Sequence, residues 1–138
     1  MEQANNKTRA TIGRAYHSGG ESVDYRGGMT DLVVVNVTAP DLAIAETLAR
    51  ALVQESLAAC CTLVPAVRSV YRWQGGVHED VEVLLVIKTR AALVDELVTR
   101  VRALHPYTLP EIIAVPILAG SAEYLAWVRA ETGGSEVG

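Results

Sequence analysis

Residues 60–73 read CCTLVPAVRSVYRW, residues 74–76 read QGG and residues 77–89 read VHEDVEVLLVIKT. Both long runs are rich in β-branched residues, and a short glycine-containing link of this kind closes β-hairpins. The runs are therefore predicted to pair as antiparallel strands. Each run exceeds the usual strand length of about five or six residues, so its far end should project beyond a small sheet. Because proline cannot donate to a strand ladder, Pro65 predicts a bulge or bend.

The sequence predicts two further strands, one before this hairpin and one after it. Residues 32–37 (LVVVNV) form a β-branched run typical of a central strand that is buried on both faces. Residues 112–117 (IIAVPI) form a shorter run, in which Pro116 favours a position near the edge of the sheet. The sheet is therefore expected to have four strands.

Three helices are predicted between and after these strands. The first begins near residues 38–41 (TAPD), where a hydroxyl, a proline and an acid are typical of a helix N-terminus, and it continues to about Leu57. The second stops before His105, and Ser121 is the expected N-cap of the third. Apolar residues recur at helical spacing in the first two helices, at Ile44, Leu48, Leu52, Leu93, Leu97, Val101 and Leu104.

The predicted order of elements is βαββαβ followed by a C-terminal helix. This order is typical of the α+β ferredoxin-like sandwich, in which two helices cover one face of an antiparallel sheet. The other face has no cover within one chain, and oligomerisation would supply one. The hairpin also carries aromatic and β-branched side chains into a region that one chain cannot cover, which favours the same conclusion.

Composition narrows the possible partners. The chain has 138 residues, enough for one domain, and half of them are hydrophobic, whereas 20% are charged. The net charge is -4 and no two basic residues are adjacent, so nucleic acid is not an expected partner. No apolar stretch approaches the roughly 18–20 residues of a membrane span, and no secretory signal is evident. We therefore expect no membrane partner and a cytoplasmic location.

The sequence lacks the motifs of the common catalytic centres. It has no glycine-rich phosphate loop, no His-Glu-x-x-His helix and no Gly-x-Ser-x-Gly elbow. Small-phosphate hydrolases share the ferredoxin-like order, but no loop of this chain offers the Arg and Asn that such an enzyme needs. We expect a protein that is not an enzyme.

The first 28 residues differ from the rest of the chain. They show no apolar periodicity, and glycine pairs interrupt any local structure that might begin there. Residues 1–28 are therefore predicted to be a flexible N-terminal tail or leader, whether an expression leader, a misassigned start or a native extension. Residues 29–138 are predicted to form the folded domain.

Cys60, Cys61 and His105 are candidate metal ligands, because thiolate and imidazole suit copper and zinc. Adjacent cysteines form a strained ring rather than a useful disulfide, so free thiols are expected. Neighbours on a strand point to opposite faces, and the alternative is that one or both thiols belong to the core. For His105, the alternative is capping or packing at the end of a helix.

Two further groups of side chains are candidates for binding. Lys88, Tyr107 and Glu111 come from segments that should converge near the sheet edge, which predicts either a polar ligand cleft between subunits or a structural ion pair. Large aromatic residues with a polar edge are typical of interfaces and cores. The predicted interface aromatics are Tyr71, Trp73, Tyr124 and Trp127.

Several short motifs occur in one order along the chain. They are VTAPD at residues 37–41, LAAC at 57–60, EVLL at 82–85, KT at 88–89, HPYTLPEI at 105–112 and YLAW at 124–127. In these motifs the chain resembles the CutA family of divalent-cation-tolerance proteins from about Leu32 to Trp127. The resemblance implies a ferredoxin-like protomer in a tight homotrimer, with long hairpins wrapping neighbouring subunits. It also implies a link to copper and other divalent metals.

The resemblance further implies a copper site formed by a cysteine after the first strand and by a histidine pair. Val37 stands at the place of that cysteine and Leu104 at that of the first histidine, so His105 is the ligand carried over, while Cys60 matches another family cysteine. No cofactor is expected to be obligatory, and copper or another divalent cation is the possible ligand. The alternative is a trimeric regulatory or scaffold protein that senses a small anion or a partner in an inter-subunit cleft.

Overall fold

The computed structural model describes residues 30–133, which form one antiparallel sheet and three α-helices. In chain order the elements are β1 (Leu32–Ala39), α1 (Leu42–Gln54), β2 (Cys60–Trp73), β3 (Gly76–Arg90), α2 (Val94–Leu104, after a 3-10 turn at Ala91–Leu93), β4 (Ile112–Pro116) and α3 (Ala122–Ala130). The strand order β2-β3-β1-β4 is that of the ferredoxin-like fold and confirms the predicted α+β class. The predicted tail at residues 1–28 lies outside the described residues. No helix within residues 30–133 is long and apolar enough to cross a membrane.

The core lies between the sheet and the first two helices. Val35 pairs with Ile87 and Val37 pairs with Leu85, and all four side chains are fully buried. The helices supply the other half of the core through Leu48, Leu52, Leu97 and Val101. Burying a side chain of this size stabilises the fold by roughly 1.5–3 kcal/mol before ordering costs. The central strand and the two amphipathic helices are thus where the sequence predicts them.

Helix α1 begins later than the TAPD motif suggests. Its N-cap is Asp41, whose Oδ1 accepts a hydrogen bond from the Ile44 amide at 2.9 Å. Thr38, the hydroxyl expected near this end, is still part of β1, where it pairs with Leu84. The predicted cap at Ser121 is confirmed, because its hydroxyl accepts from the Tyr124 amide at the start of α3.

The hairpin of β2 and β3 has the predicted length, turn and bulge. Gln74 and Gly75 form a two-residue loop with φ values of 50° and 82°, the left-handed pairing typical of tight hairpin turns. The register shifts between Val64 and Val67, so Pro65 and Ala66 form the predicted bulge. Since β1 pairs with β3 only as far as Val83, the remaining part of the hairpin projects beyond the sheet.

The second face of the sheet, here called the open face, has no helix of residues 30–133 over most of its area. Helix α3 lies over one end, where Val128 and Leu125 contact Leu32 and Ile117. The rest carries apolar side chains that remain half-buried or exposed. Its apolar residues are Val34, Val64, Leu84, Val86, Ile113 and Val115. Ile113 is 49% exposed and Val115 is 45% exposed, a degree of exposure that is unusual for neighbouring residues of a sheet.

Helix α1 ends in a Schellman motif that places a serine in the left-handed region. The Ser56 amide donates to the Val53 carbonyl at 3.1 Å, the Leu57 amide donates to the Leu52 carbonyl at 2.9 Å, and Ser56 has a φ of 60°. A side chain in this conformation costs roughly 1–2 kcal/mol, and glycine avoids that cost.

We expect Ser56→Gly to raise the free energy of unfolding by about 0.5–1 kcal/mol, after the greater flexibility of glycine in the unfolded chain is subtracted. Urea denaturation measures the change. The matched control is Ser69→Gly in the extended strand β2, which should lower stability by about 0.5–1 kcal/mol. A decrease in stability for both variants would show that the Ser56 conformation carries no strain.

Candidate functional site

His105 lies immediately after α2 and is 7% exposed. Its Nδ1 accepts a hydrogen bond from the Tyr107 amide at 3.1 Å, so the ring proton must be on Nε2, which donates to the Thr38 carbonyl at 2.8 Å. Burial lowers the pKa of His105, which favours this neutral form. Both ring nitrogens are therefore occupied by the backbone, and the ring fixes the segment after α2 against β1.

Glu82 is the most unusual polar residue of the site, because its side chain is only 2% exposed. The Tyr107 hydroxyl donates to Glu82 Oε2 at 2.7 Å. Burial and this hydrogen bond raise the pKa of Tyr107, so the phenol remains a donor. Glu111 lies close enough to Glu82 to sense its charge. Burial and the charge of Glu82 both raise the pKa of Glu111. We call Glu82, Tyr107 and Glu111 the carboxylate site.

The polar network continues along the hairpin. Tyr71 donates to Asp80 Oδ2, and this hydrogen bond is the main cause that raises the pKa of Tyr71 to about 12. The Tyr71 ring also stacks on His78, with ring centroids 5.6 Å apart. Since Asp80 and Glu82 are two residues apart on β3, they lie on the same side of the sheet. The hairpin therefore extends the line of acids and tyrosines away from the carboxylate site.

Lys88 occupies a different part of the open face. Its Nζ donates to Thr62 Oγ1 at 2.8 Å and lies 3.7 Å from Cys60 Sγ. Six residues of β3 separate it from Glu82, or about 20 Å at roughly 3.3 Å per residue. Within one chain Lys88 therefore lies far along β3 from Tyr107, which contacts Glu82, and a cleft between subunits that joins them stays a prediction.

The two cysteines point to opposite faces, as strand alternation predicts. Cys60 pairs with Lys88 on the open face, whereas Cys61 pairs with Ile87 on the core face. Burial raises the pKa of the Cys61 thiol to about 12. Cys61 lines a shallow groove of about 330 Å³ beside α1. Both thiols are free.

The predicted metal ligands do not meet within one chain. His105 bonds to Thr38, which pairs with Leu84, whereas Cys60 pairs with Lys88, about 13 Å farther along β3 at roughly 3.3 Å per residue. Residues 30–133 contain no cluster of three or more His, Cys, Asp or Glu that is placed to hold a metal ion. With both nitrogens of His105 engaged, the residues of a single chain do not fit a copper centre.

The predicted interface aromatics fall into two pairs. Tyr124 and Trp127 lie side by side on α3 with tilted rings whose centroids are 5.5 Å apart, and they are 42% and 43% exposed. Tyr71 and Trp73 are half-buried on the projecting hairpin. Alternation from Glu82 through Tyr71 and Trp73 places this second pair on the side of the open face. Both pairs therefore border the uncovered surface.

Sequence reasoning missed two residues that the fold buries beside His105. Glu82 is not among the predicted site residues, but it stands where β3 leaves the sheet, and the Tyr107 hydroxyl donates to it. Thr38 was assigned to a helix cap, and its hydroxyl is instead buried without a hydrogen-bond partner among the described residues. The EVLL motif was a signal for Glu82, because it places an acid directly before a buried apolar run.

Comparison with known proteins adds to this description. The profile of the CutA1 divalent ion tolerance protein family matches residues 33–131. The divalent-cation tolerance protein CutA of Thermus thermophilus is 54% identical over 100 residues, which are 72% of this chain and 97% of that protein. Human protein CutA is 47% identical over 96 residues, which are 70% of this chain and 54% of the human protein. The chain thus spans nearly all of the bacterial relative and about half of the human one.

Solved structures agree with the sequence comparison. The Cut A1 structure from Thermus thermophilus superposes with a TM-score of 0.73 at 53% identity and covers 74% of this chain and 99% of that one. CutA1 from Oryza sativa superposes with a TM-score of 0.74 at 42% identity and covers 78% of this chain and 99% of that one. The chain therefore belongs to the CutA1 divalent ion tolerance protein family.

Proposed function

We propose that this protein is a cytoplasmic homotrimer that acts in divalent-cation tolerance by binding copper or another divalent cation, without catalysing a reaction. The observation that carries the proposal is the open face, whose apolar residues require a cover that the described part of one chain does not provide. The names of the relatives support the link to divalent cations.

The open face and the hairpin support self-association. Val70 and Val77 are each 67% exposed, and Val81 is 60% exposed, although all three belong to regular strands. Covering such side chains contributes roughly 1.5–3 kcal/mol each before ordering costs, which is enough to make an assembly permanent. A closed three-fold arrangement buries the same surface on every subunit and leaves no open edge. The resemblance to the CutA family favours this symmetry over a dimer.

The metal part of the proposal requires more than one subunit. A single chain offers His105 as its one buried imidazole within residues 30–133, and Cys60 lies too far along β3 to join it. A complete copper site therefore has to combine groups from neighbouring subunits or displace the Tyr107 amide from His105 Nδ1. The latter exchange is compatible with a neutral imidazole, which is the form that binds metals.

A regulatory trimer that senses a small anion or a protein partner is the second candidate. Lys88 favours it, because its ammonium contacts Thr62 and Cys60 and forms no ion pair with a carboxylate among residues 30–133. Such an uncompensated cation on the open face suits an anionic group. A thermal-shift screen discriminates between the two functions: stabilisation by an anionic metabolite but not by metals supports the regulatory trimer.

We expect the purified chain to be a trimer at micromolar concentration, with a light-scattering mass three times the 14.8 kDa of one chain. The Trp73→Asp variant should dissociate or unfold, because it places a charge among apolar groups at the interface. Gln74→Asp is the control, since it adds the same charge at the exposed turn one residue away. A wild-type mass of one or two chains would refute the trimer. Unchanged mass and melting of Trp73→Asp would show that Trp73 lies outside the interface.

We expect His105→Ala to weaken copper binding by about tenfold or more, and His78→Ala to have a smaller effect, because His78 lies on the exposed hairpin. Isothermal titration with Cu(II) and Cu(I) measures both. His105→Gln serves as a second variant, since its amide can still donate to the Thr38 carbonyl and preserve the fold. Equal effects of the two alanine variants would mean that copper binds opportunistically at the surface.

The same titration has an expected pH dependence. Burial lowers the pKa of His105 from its ordinary value of 6.5, so protons compete with a metal at this ring only at lower pH. Copper binding that depends on His105 should therefore persist as the pH falls through 6.5. Loss of the His105-dependent part already above that pH would contradict a buried, neutral ligand.

A further inference from the structure

One thiol and one amine lie side by side at the α3 end of the open face. Cys60 of β2 and Lys88 of β3 are direct partners across the hairpin, and Lys88 Nζ lies 3.7 Å from Cys60 Sγ. Residues paired in this way have Cβ atoms about 4.5–5.5 Å apart, so the strand register itself brings the two side chains together. The proximity of the two groups is therefore set by the backbone.

The Lys88 ammonium is held beside the thiol rather than drawn away by an acid. It donates to Thr62 Oγ1 at 2.8 Å and to the Val86 carbonyl at 3.4 Å. Thr62 Oγ1 is also 3.8 Å from Cys60 Sγ, so a thiol, a hydroxyl and an ammonium form one small triangle. No carboxylate among residues 30–133 forms an ion pair with Lys88. The amine nitrogen therefore stays within reach of the sulfur.

Helix α3 of the same chain covers this end of the open face. Ala59, the residue before Cys60, packs in a small buried cluster with Val128 of α3. Burial raises the pKa of Tyr124 on the same helix, and the charge of Cys60 raises it further, so the phenol lies near the thiol. Cys60 and Lys88 remain half-buried rather than sealed. A small uncharged oxidant such as hydrogen peroxide can therefore reach them from solvent.

Cys60 has no second thiol on its own side of the sheet. Cys61 points to the core face, where it pairs with Ile87 and where burial raises its pKa to about 12. A cysteine that is oxidised to a sulfenic acid condenses with a thiol to a disulfide or with a nitrogen to a sulfenamide. Adjacent cysteines can join only in a strained ring. The nitrogen placed to react with a sulfenic acid at Cys60 is that of Lys88.

We propose that hydrogen peroxide joins Cys60 and Lys88 in a sulfenamide bridge, a covalent S–N bond between β2 and β3. The Cys60 thiol first attacks the peroxide: the O–O bond breaks, one oxygen stays on the sulfur as a sulfenic acid, and the other leaves as water. The sulfur loses two electrons in this step and the peroxide gains them. Lys88 then gives one proton to solvent, and its free amine attacks the sulfur. The S–O bond breaks, and the hydroxide leaves as water with a second proton from the nitrogen.

The bridge changes the chemistry of the open face without moving its strands. It consumes the thiol of Cys60 and the positive charge of Lys88 in one event. Other thiols reverse it, because one thiol attacks the bridged sulfur and releases the amine, and a second thiol then frees Cys60. The reaction requires neither a metal nor a second subunit, so it goes beyond the proposed function and does not depend on it.

The test treats the full-length protein with hydrogen peroxide and measures the intact mass before digestion with trypsin in the absence of reductant. We expect the mass to fall by two hydrogens, or about 2 Da, as the S–N bond forms. Trypsin should no longer cleave after Lys88, and the digest should contain residues 51–68 cross-linked to residues 73–90. Dithiothreitol should restore the original mass and the cleavage. Absence of the cross-linked pair would overturn the bridge.

Two variants distinguish the bridge from other oxidation products. Cys61→Ser removes the one other thiol of the chain and should still form the bridge. Loss of the mass change in this variant would identify a Cys60–Cys61 disulfide and reject Lys88 as the partner. Lys88→Arg in the Cys61→Ser background keeps the positive charge but offers no amine, so Cys60 should oxidise onward to a sulfinic acid and gain two oxygens. A fall of two hydrogens in this double variant would likewise exclude Lys88.

Thr62→Val tests how the amine is positioned. It removes the hydroxyl that accepts from Lys88 Nζ, so the bridge should form severalfold more slowly. Alkylation of Cys60 by iodoacetamide in the untreated protein should stay unchanged, which separates positioning from access. Thr47→Val, at an exposed threonine of α1, is the matched control and should bridge at the wild-type rate. An unchanged rate in Thr62→Val would reject the Thr62 hydroxyl as a positioning group.

Discussion

The alternation of side chains along β1 and β3 is the constraint on which the rest of the structure depends. Val35, Val37, Leu85 and Ile87 point to the helices, and their immediate neighbours must therefore point to the open face. A slip of one residue would exchange the two sets and expose the whole core. Because α1 and α2 both pack against the first face, the residues of the second face are not constrained by the core. The second face carries apolar residues in the middle and acids at one end.

The segment between α2 and β4 contacts two strands of the sheet, β1 and β3. His105 bonds to the Thr38 carbonyl on β1, and Tyr107 bonds to Glu82 on β3, so two consecutive anchors fasten one short segment across two strands. The rings of His105 and Tyr107 lie 4.7 Å apart, which keeps both in place. A buried imidazole and a buried carboxylate are thus held apart by backbone geometry rather than paired with each other. This arrangement accounts for the His105 and Tyr107 of the HPYTLPEI motif.

The fold was largely predictable, because its determinants are local or periodic. The hairpin turn, the bulge at Pro65, the amphipathic helices and the order of the elements follow from residue type and spacing, and the CutA resemblance implies the same fold. The site was less predictable, because it depends on how far apart the elements lie in three dimensions. Lys88 and Glu82 belong to one strand and share a face, but sequence gives no reason to place Tyr107 at one end rather than the other. The capping role expected of Thr38 failed because strand pairing with Leu84 extends past it.

The bulge in β2 has a consequence for the outer edge of the sheet. Among residues 30–133, β2 has a neighbour on one side only, so its outer edge presents backbone amides and carbonyls along a long strand. Such an edge is a template on which other chains can add in an amyloid-like manner. Pro65 lacks an amide hydrogen, and Ala66 has a φ of 62°, so the edge is divided into the separate stretches Cys60–Val64 and Val67–Trp73. The outer edge of β2 therefore carries its own protection against edge-to-edge aggregation.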